Sequence, residues 1–330
     1  MNVAIIGGGS WGATLGQVLC DNGNDVLIRD IALDVVNGIN KDGSHPFLEV
    51  KLTDKLKATT DLKEAIDFAE YIILAVPTKF MRQVLEEISQ IIKEPKIFIN
   101  VSKGIEPNTL KRVSQIVSEV IDPNYVKGYA CLSGPSHAEE LVLRKITLLV
   151  AASDNMQLAQ EVQHLFHNEN YLRVYTSNDV CGVEVGGAIK NAIAVVSGIS
   201  TGFGLGENAR AALISRGILE IIKVVEIMGG KKETAFGLTG IGDLIVTASS
   251  ENSRNFQAGK KIGQGQNVDD VIKNSKMVVE GVRTIVACHD LINEYKIELP
   301  LIEAAYRTLF EGEKVEDMIK SLINRELKSE

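Results

Sequence analysis

Residues 3–6 form a short, wholly apolar run, Val-Ala-Ile-Ile, the pattern of a strand buried on both faces of a parallel sheet. Helical apolar spacing follows over 13–20, and a second apolar run stands at 26–28. The alternation continues. Residues 62–68 predict a helix, 71–76 a strand halted by Pro77, 81–92 a helix, 97–101 a strand and 109–120 a helix. Further strands are expected at 129–132, 146–151 and 171–175, the last two separated by a helix. Strand–helix alternation of this kind implies an α/β fold, a doubly wound, mostly parallel sheet covered on both faces. From Asp179 onward the strand pattern stops. Helices are expected at 183–201, 208–228, 269–274, 281–294, 301–311 and 314–328. The predicted division is therefore an α/β domain over 1–178 and an all-helical domain over 179–330.

The turn after the first strand reads Gly7-Gly8-Gly9-Ser10-Trp11-Gly12. This is G-x-G-x-x-G between a strand and a helix, the context that makes a Rossmann-like dinucleotide site of it. Gly7 permits the tight turn, Gly9 lets backbone approach a pyrophosphate, and Gly12 lets the helix pack on the strand. The helix N-terminus then faces the anion. The next strand ends at Arg29-Asp30. Asp30 stands near the offset of the acid that binds the ribose 2′-hydroxyl of NAD, whereas Arg29 could hold the 2′-phosphate of NADP. Strand alternation lets only one of the two face the ribose, and the reading adopted is Asp30, hence NAD. Ligands of such sheets sit at the carboxyl ends of the strands. Two more segments fall there: residues 75–78, and Ser102-Lys103-Gly104-Ile105-Glu106, which places a cation where a phosphate or carboxylate would lie. The other reading of Lys103 is an ordinary loop lysine. Ser133-Gly134-Pro135-Ser136-His137-Ala138 is a loop with polar hydrogens ahead of a helix, and His137 reads as a loop or packing residue.

In the second domain one lysine, Lys190, sits in the apolar run 183–201. Either its stem snorkels along an apolar face to water, or its ammonium is held in a cleft for acid–base work. Gly186 and Gly187 cost helix propensity, so something is expected to pack closely on that turn, and Asn191 adds a second polar group. Glycines around Asp243 suggest a loop or cap that aims a carboxylate. Ser253-Arg254-Asn255 offers a hydroxyl, a guanidinium and an amide ahead of a predicted helix, a cradle for phosphate. The alternative is a capped helix with an exposed arginine.

Composition changes the picture in three places. The formal net charge of −8 argues against a nucleic-acid partner. Cys20, Cys131, Cys181 and Cys288 are far apart with no C-x-x-C pair, as expected of free thiols in a cytoplasmic protein. His164 and His167 have no further ligand nearby, so no metal is expected. The N-terminus has no basic leader, and the longest apolar run contains Glu184 and Lys190, so neither a signal peptide nor a membrane span is expected.

Taken together, these motifs resemble the bacterial NAD(P)-dependent glycerol-3-phosphate dehydrogenases, from residue 1 to about residue 320. The resemblance rests on Gly7 to Gly12 with Ser10-Trp11, Lys103-Gly104-Ile105-Glu106, Gly134-Pro135-Ser136-His137-Ala138, Glu184 to Asn191, Asn208 to Gly217, Gly242-Asp243-Leu244, Ser253-Arg254-Asn255 and Val279-Glu280-Gly281. Each is weak alone, and their joint order is specific. It implies interconversion of sn-glycerol 3-phosphate and dihydroxyacetone phosphate by hydride transfer to or from NAD or NADP, supplying glycerol phosphate for phospholipid synthesis. It further implies Lys190 as general acid/base, and Lys103, Gly134, Ser136, Asp243, Ser253, Arg254 and Asn255 as substrate contacts. Ser10, Trp11, Lys103, Ala138, Arg254, Val278 and Glu280 are implied as cofactor contacts. Lys103 and Arg254 would oppose the ammonium form of Lys190, and Asp243 would favour and orient it. Two departures stand out. The family often has Trp, a small residue and then His or Arg after the second strand, where this chain has Arg29-Asp30-Ile31. That supports NAD. Thr247-Ala248 replaces a Thr-Cys pair found in many relatives, with little expected effect. The competing readings are a β-hydroxyacid-type dehydrogenase, against which Asp243 and 253–255 argue, and a non-catalytic dinucleotide sensor, against which Lys190 and Arg254 argue. A helical second domain also offers surfaces for a homodimer.

Overall fold

The structure, a computed structural model, describes residues 1–106, 108–273, 279–327 and 329. It divides into two compact units, Met1–Gly104 with Lys111–Glu184, and Ile105–Leu110 with Val185–Glu330.

The first unit alternates strand and helix, with α2 and β3 added to the elements that its hydrophobic pattern predicts. In chain order it holds β1 (Asn2–Ile6), α1 (Ser10–Asp21), β2 (Asp25–Arg29), α2 (Leu33–Asp42), β3 (Lys57–Thr59), α3 (Leu62–Phe68), β4 (Tyr71–Leu74), α4 (Met81–Ile91) and β5 (Lys96–Asn100). Then come α5 (Val113–Val120), β6 (Val126–Ser133), α6 (Ala138–Leu141), β7 (Thr147–Ala152), α7 (Met156–Phe166) and β8 (Leu172–Ser177). The strands form one sheet in the order β3-β2-β1-β4-β5-β6-β7-β8. Strand alternation explains the two-sided core. Val3 and Ile5 of β1 join one apolar cluster with α1 and α7, while Ala4 and Ile6 join the other with α3, α4 and α5. All pairings are parallel except β6 with β7. The β6–β7 connection carries only the four-residue α6, too short to cross the sheet and return a parallel strand. The strand order reverses between β1 and β4, the switch point where doubly wound sheets bind ligands.

The helix expected over 109–120 begins only at Val113. Asn108 and Leu110 take positive φ (69° and 56°), which a right-handed helix cannot accommodate.

Among its described residues, the regular elements of the second unit are all helical. α8 (Val180–Phe203) begins in the first unit, and the division falls between Glu184 and Val185. After it come α9 (Gly206–Ile227), α10 (Lys232–Ala235), α11 (Asp243–Ser249), α12 (Arg254–Gly263), α13 (Val268–Lys273), α14 (Glu280–Tyr295), α15 (Pro300–Phe310) and α16 (Val315–Ile323). By length and hydropathy α8 could cross a membrane, yet 94% of its apolar window is buried inside the protein. It is a core helix.

Small residues set how α8 meets its neighbours. A Cβ at Gly198 would lie 2.1 Å from Phe256 O, and one at Gly202 would lie 2.0 Å from Lys260 O. From the other side, a Cβ at Gly259 would lie 2.1 Å from Val195 O, and one at Gly263 would lie 2.2 Å from Ile199 O. Two pairs of glycines spaced four apart thus let α8 and α12 touch backbone to backbone, the logic of small-residue helix crossings. Gly281 does the same at the start of α14, 2.3 Å from Asn191 O by the same construction. The close packing expected at Gly186 is also present, with Thr239 O lying 3.2 Å from its would-be Cβ.

Candidate active site

In the first unit the glycine-rich turn joins β1 to α1 at the switch point. Gly7 has φ +111°, and a Cβ there would lie 2.8 Å from the Ala75 carbonyl, so only glycine fits. A Cβ at Gly12 would lie 2.0 Å from Gly7 O, which is how closely α1 packs on the turn. Gly9 is different. A Cβ there would meet nothing within 4 Å, so its outer side is open to a ligand. Ser10 Oγ and Trp11 Nε1, in the first turn of α1, are buried without a hydrogen-bond partner. Orphaned donors beside an open glycine at a helix N-terminus suit a ligand rich in oxygen acceptors. On that observation the residues fit a dinucleotide pyrophosphate.

Asp30 stands just past β2 and faces this turn. Its Oδ2 accepts the Gly8 N–H at 2.6 Å, and its Oδ1 accepts the Ala32 N–H at 2.8 Å. Arg29, one residue earlier, has a buried Nε with no partner.

Lys103, Gly134 and Ser136 meet at one carbonyl. Lys103 Nζ donates to Gly134 O at 2.9 Å, and Ser136 Oγ donates to the same oxygen at 3.0 Å. Gly134 has φ +145°, and a Cβ there would lie 2.9 Å from Leu148 O. Ala138 opens α6, and its carbonyl accepts from Thr14 Oγ1 of α1 at 3.5 Å, which ties this loop to the helix of the glycine turn.

In the second unit Lys190 is not a snorkelling surface lysine. It is 5% exposed, and its Nζ donates to Asp243 Oδ1 at 3.0 Å and to Thr247 Oγ1 at 2.7 Å. Asp243 and Thr247 are buried too, and Thr247 Oγ1 lies 3.2 Å from Asp243 Oδ1. The glycines before Asp243 form no loop. They make a single π-helical turn, Leu238–Gly242, running straight into α11, the kind of helix irregularity common at functional sites. The sequence reading of Thr247-Ala248 gives the threonine no role in the site. Its signal is the four-residue spacing from Asp243, which puts both side chains on one face of a helix.

Ser253 caps α12, its Oγ accepting the Phe256 N–H at 3.2 Å. Arg254 and Asn255 follow at the helix start. Asn255 Nδ2 donates to Asn191 Oδ1 at 2.9 Å, and Asn255 Oδ1 accepts the Gly281 N–H at 2.9 Å. The amide therefore joins α12, α8 and the start of α14, next to Lys190 on one side and Glu280 on the other. Val278 lies outside the described residues.

Glu184, near the start of α8, is held within the first unit. Its carboxylate accepts from Arg112 Nη1 at 3.1 Å, Ser114 N at 3.1 Å, Ser114 Oγ at 2.6 Å and Asn100 Nδ2 at 3.3 Å.

Comparison with known proteins shows the family. Residues 2–159 match the family model for the N-terminus of NAD-dependent glycerol-3-phosphate dehydrogenase, and residues 179–320 match that for its C-terminus. The chain is 61% identical to a glycerol-3-phosphate dehydrogenase [NAD(P)+] of Acholeplasma laidlawii, over 100% of this chain and 99% of that one. It is 47% identical to the protein of the same name from Bacillus subtilis, over 98% and 94%. The crystal structure of glycerol-3-phosphate dehydrogenase from Coxiella burnetii superposes with a TM-score of 0.93 at 31% identity, covering 98% of this chain and 99% of that one. The chain belongs to the NAD-dependent glycerol-3-phosphate dehydrogenase family.

Proposed function

We propose that the protein interconverts sn-glycerol 3-phosphate and dihydroxyacetone phosphate, with Lys190 as the acid and base at the C2 oxygen. The observation that carries the assignment of Lys190 is its burial against Asp243 and Thr247 on the helix that also presents Asn191. A bound nicotinamide dinucleotide supplies or accepts the hydride. When the ketone is reduced, its oxygen gains negative charge, and the Lys190 ammonium delivers a proton to it. In the other direction the amine takes the hydroxyl proton. Asp243 and Thr247 fix where Nζ points. Arg254, with its forked guanidinium, and the hydroxyl of Ser253 at the start of α12 bind the phosphate. Lys103, Gly134 and Ser136, gathered at one carbonyl from the loops after β5 and β6, contact substrate and cofactor. Ser10, Trp11, Gly7, Gly9 and Gly12 hold the pyrophosphate, and Ala138, Arg254 and Glu280 contribute further cofactor contacts.

The preferred cofactor is NAD. Asp30 faces the glycine turn with a carboxylate, which accepts hydrogen bonds from a ribose diol and repels a 2′-phosphate. The Trp, small residue and His or Arg that the family often has after the second strand are absent here, where the chain reads Ile28-Arg29-Asp30-Ile31. The enzyme works in the cytosol, where its four free cysteines stay reduced, and supplies glycerol phosphate for phospholipid synthesis. It pairs as a homodimer, for which half-exposed Phe203, Leu205 and Leu219 offer apolar surface. Light scattering would test that pairing.

The deciding experiment follows oxidation of NADH and of NADPH with dihydroxyacetone phosphate in wild type and Lys190→Ala. We expect kcat to fall by about 10²–10⁴-fold in the variant while NADH binding survives. We also expect wild-type kcat/KM to favour NADH. Residual activity close to wild type would remove Lys190 from the chemistry. Equal use of NADPH would remove the discriminating role of Asp30.

A further inference from the structure

We propose that His45 is the positioning residue for cofactor selection, holding Asp30 in place for the adenosine ribose by way of the Gly8 peptide. This rests on the reading of Asp30 as the ribose-binding acid.

His45 follows α2, on the stretch leading to β3, and is buried. Its Nδ1 accepts the Phe47 N–H at 3.2 Å. A ring nitrogen that accepts carries no proton, so in the neutral ring the hydrogen sits on Nε2. Nε2 lies 2.8 Å from Gly8 O and therefore donates to it. Burial holds the ring's pKa below its ordinary value, against the opposing pull of the Gly8 carbonyl, Asp30 and Asp34. The neutral tautomer is thus the form this site favours.

Gly8 is consequently held at both ends of its own residue. Its carbonyl takes the His45 proton, and its N–H donates to Asp30 Oδ2 at 2.6 Å. Packing closes the same contact, because a Cβ at Gly8 would lie 2.9 Å from Ile28 Cγ2 and 3.1 Å from Asp30 Cβ and Oδ2. The other carboxylate oxygen is fixed by Ala32 N–H at 2.8 Å. Both oxygens of Asp30 are therefore oriented by backbone donors, and each keeps a second lone pair for a hydroxyl. A vicinal diol supplies two hydroxyl donors for two acceptors whose geometry is already set. Without His45 the buried Gly8 carbonyl loses its donor, and the turn can rotate its N–H away from Asp30. The carboxylate then gains a rotation that must be frozen when the ribose binds, which weakens binding without touching the chemistry.

The test is a double-mutant cycle on the intact protein, reading NADH affinity directly by calorimetry and, separately, KM and kcat. His45→Ala should raise the Kd for NADH by about 3–10-fold, the scale of one neutral hydrogen bond, with KM rising in parallel and kcat at saturation staying within about twofold. His45→Gln carries an amide donor with the reach of Nε2 and should restore most of the affinity. In an Asp30→Ala background, His45→Ala should add less than about twofold, because its effect passes through Asp30. An equal effect in both backgrounds, or a loss of kcat without a rise in Kd, overturns the role of His45. If Asp30→Ala weakens NADH and His45→Ala does not, the ribose reading stands and the proposal for His45 falls. If Asp30→Ala leaves NADH affinity unchanged, the ribose reading itself fails and takes the proposal with it.

Discussion

Lys190 reaches two side chains one helical turn apart on α11, and the two are not equivalent. Asp243 carries the charge that offsets burial of the ammonium, whereas Thr247 contributes a neutral hydrogen bond at 2.7 Å. Thr247→Val keeps the shape and removes the hydroxyl, so kcat should fall by about tenfold, the value of one such bond, with Thr247→Ser restoring it. Asp243→Asn removes the carboxylate 3.0 Å from a buried cation, and breaking such a buried pair costs about 3–5 kcal/mol. That variant should therefore lose both activity and stability, and denaturant unfolding beside steady-state kinetics would separate the two. Little of this pairing is legible in the sequence. A single lysine in an apolar run marks position 190, and glycines mark 243. A threonine four residues beyond an aspartate looks like any half-polar helix position, and the departure from the family at Thr247-Ala248 concerns the cysteine, not the hydroxyl. His45 is harder still to read, because it acts on a backbone carbonyl that no side-chain pattern encodes.

Among elements, the contact of α8 with α12 fixes where Ser253, Arg254 and Asn255, the residues proposed to bind phosphate, stand. The glycines at 198, 202, 259 and 263 permit backbone contact, and Asn255 then reaches Asn191 across 2.9 Å. A methyl group at position 259 would meet backbone, the Val195 carbonyl, which cannot swing away as a flexible side chain could. Gly259→Ala should therefore push α12 off α8. We expect a loss of about 1–3 kcal/mol in stability, the range of core overpacking. The KM for dihydroxyacetone phosphate should rise as well, since Arg254 and Asn255 move with the helix. Gly265→Ala makes a useful contrast because no atom lies within 4 Å of its would-be Cβ, although its positive φ adds local strain. It should leave that KM unchanged. Elements with a strong apolar signature are legible in the sequence: β1, β4, α4, α14 and α15 stand within a residue or two of their apolar patterns. The pattern is silent where it has little to count. β3 has three residues with only Ala58 buried, and the left-handed backbone at Asn108 and Leu110 delays α5 with no apolar signature. The antiparallel turn of β7 depends on the length of α6, which hydropathy alone does not report.

The stability of the whole molecule should carry one pH signature that stands apart from catalysis. Glu220 of α9 is buried, and its carboxylate caps the first turn of α15, accepting the Leu301 N–H at 2.7 Å and the Ile302 N–H at 3.2 Å. A carboxylate at a helix N-terminus is favourable, and the Leu301 and Ile302 N–H groups, Lys223 and Arg325 all favour the charged form. Burial outweighs them, raising the pKa from 4.5 to about 7. The sign follows from proton binding. Between the two values the folded protein holds a proton that the unfolded chain has released, so stability is full below about 4.5 and falls as pH rises to about 7. Integrated from pH 5 to pH 8, the loss is roughly 2–3 kcal/mol. Glu220→Gln removes the titration. Its amide oxygen still accepts one of the two N–H groups, while its NH2 must face the other, so the variant should be somewhat less stable at pH 5. Its stability should then change less than that of the wild type on going to pH 8. Urea unfolding of both proteins at the two pH values tests this, and parallel losses in both would show that the titration lies elsewhere. Because Glu220 touches no group assigned to the reaction, kcat of the folded variant should keep the wild-type pH profile. A change in stability with no change in that profile separates the carboxylate that holds α9 and α15 together from the one that orients Lys190.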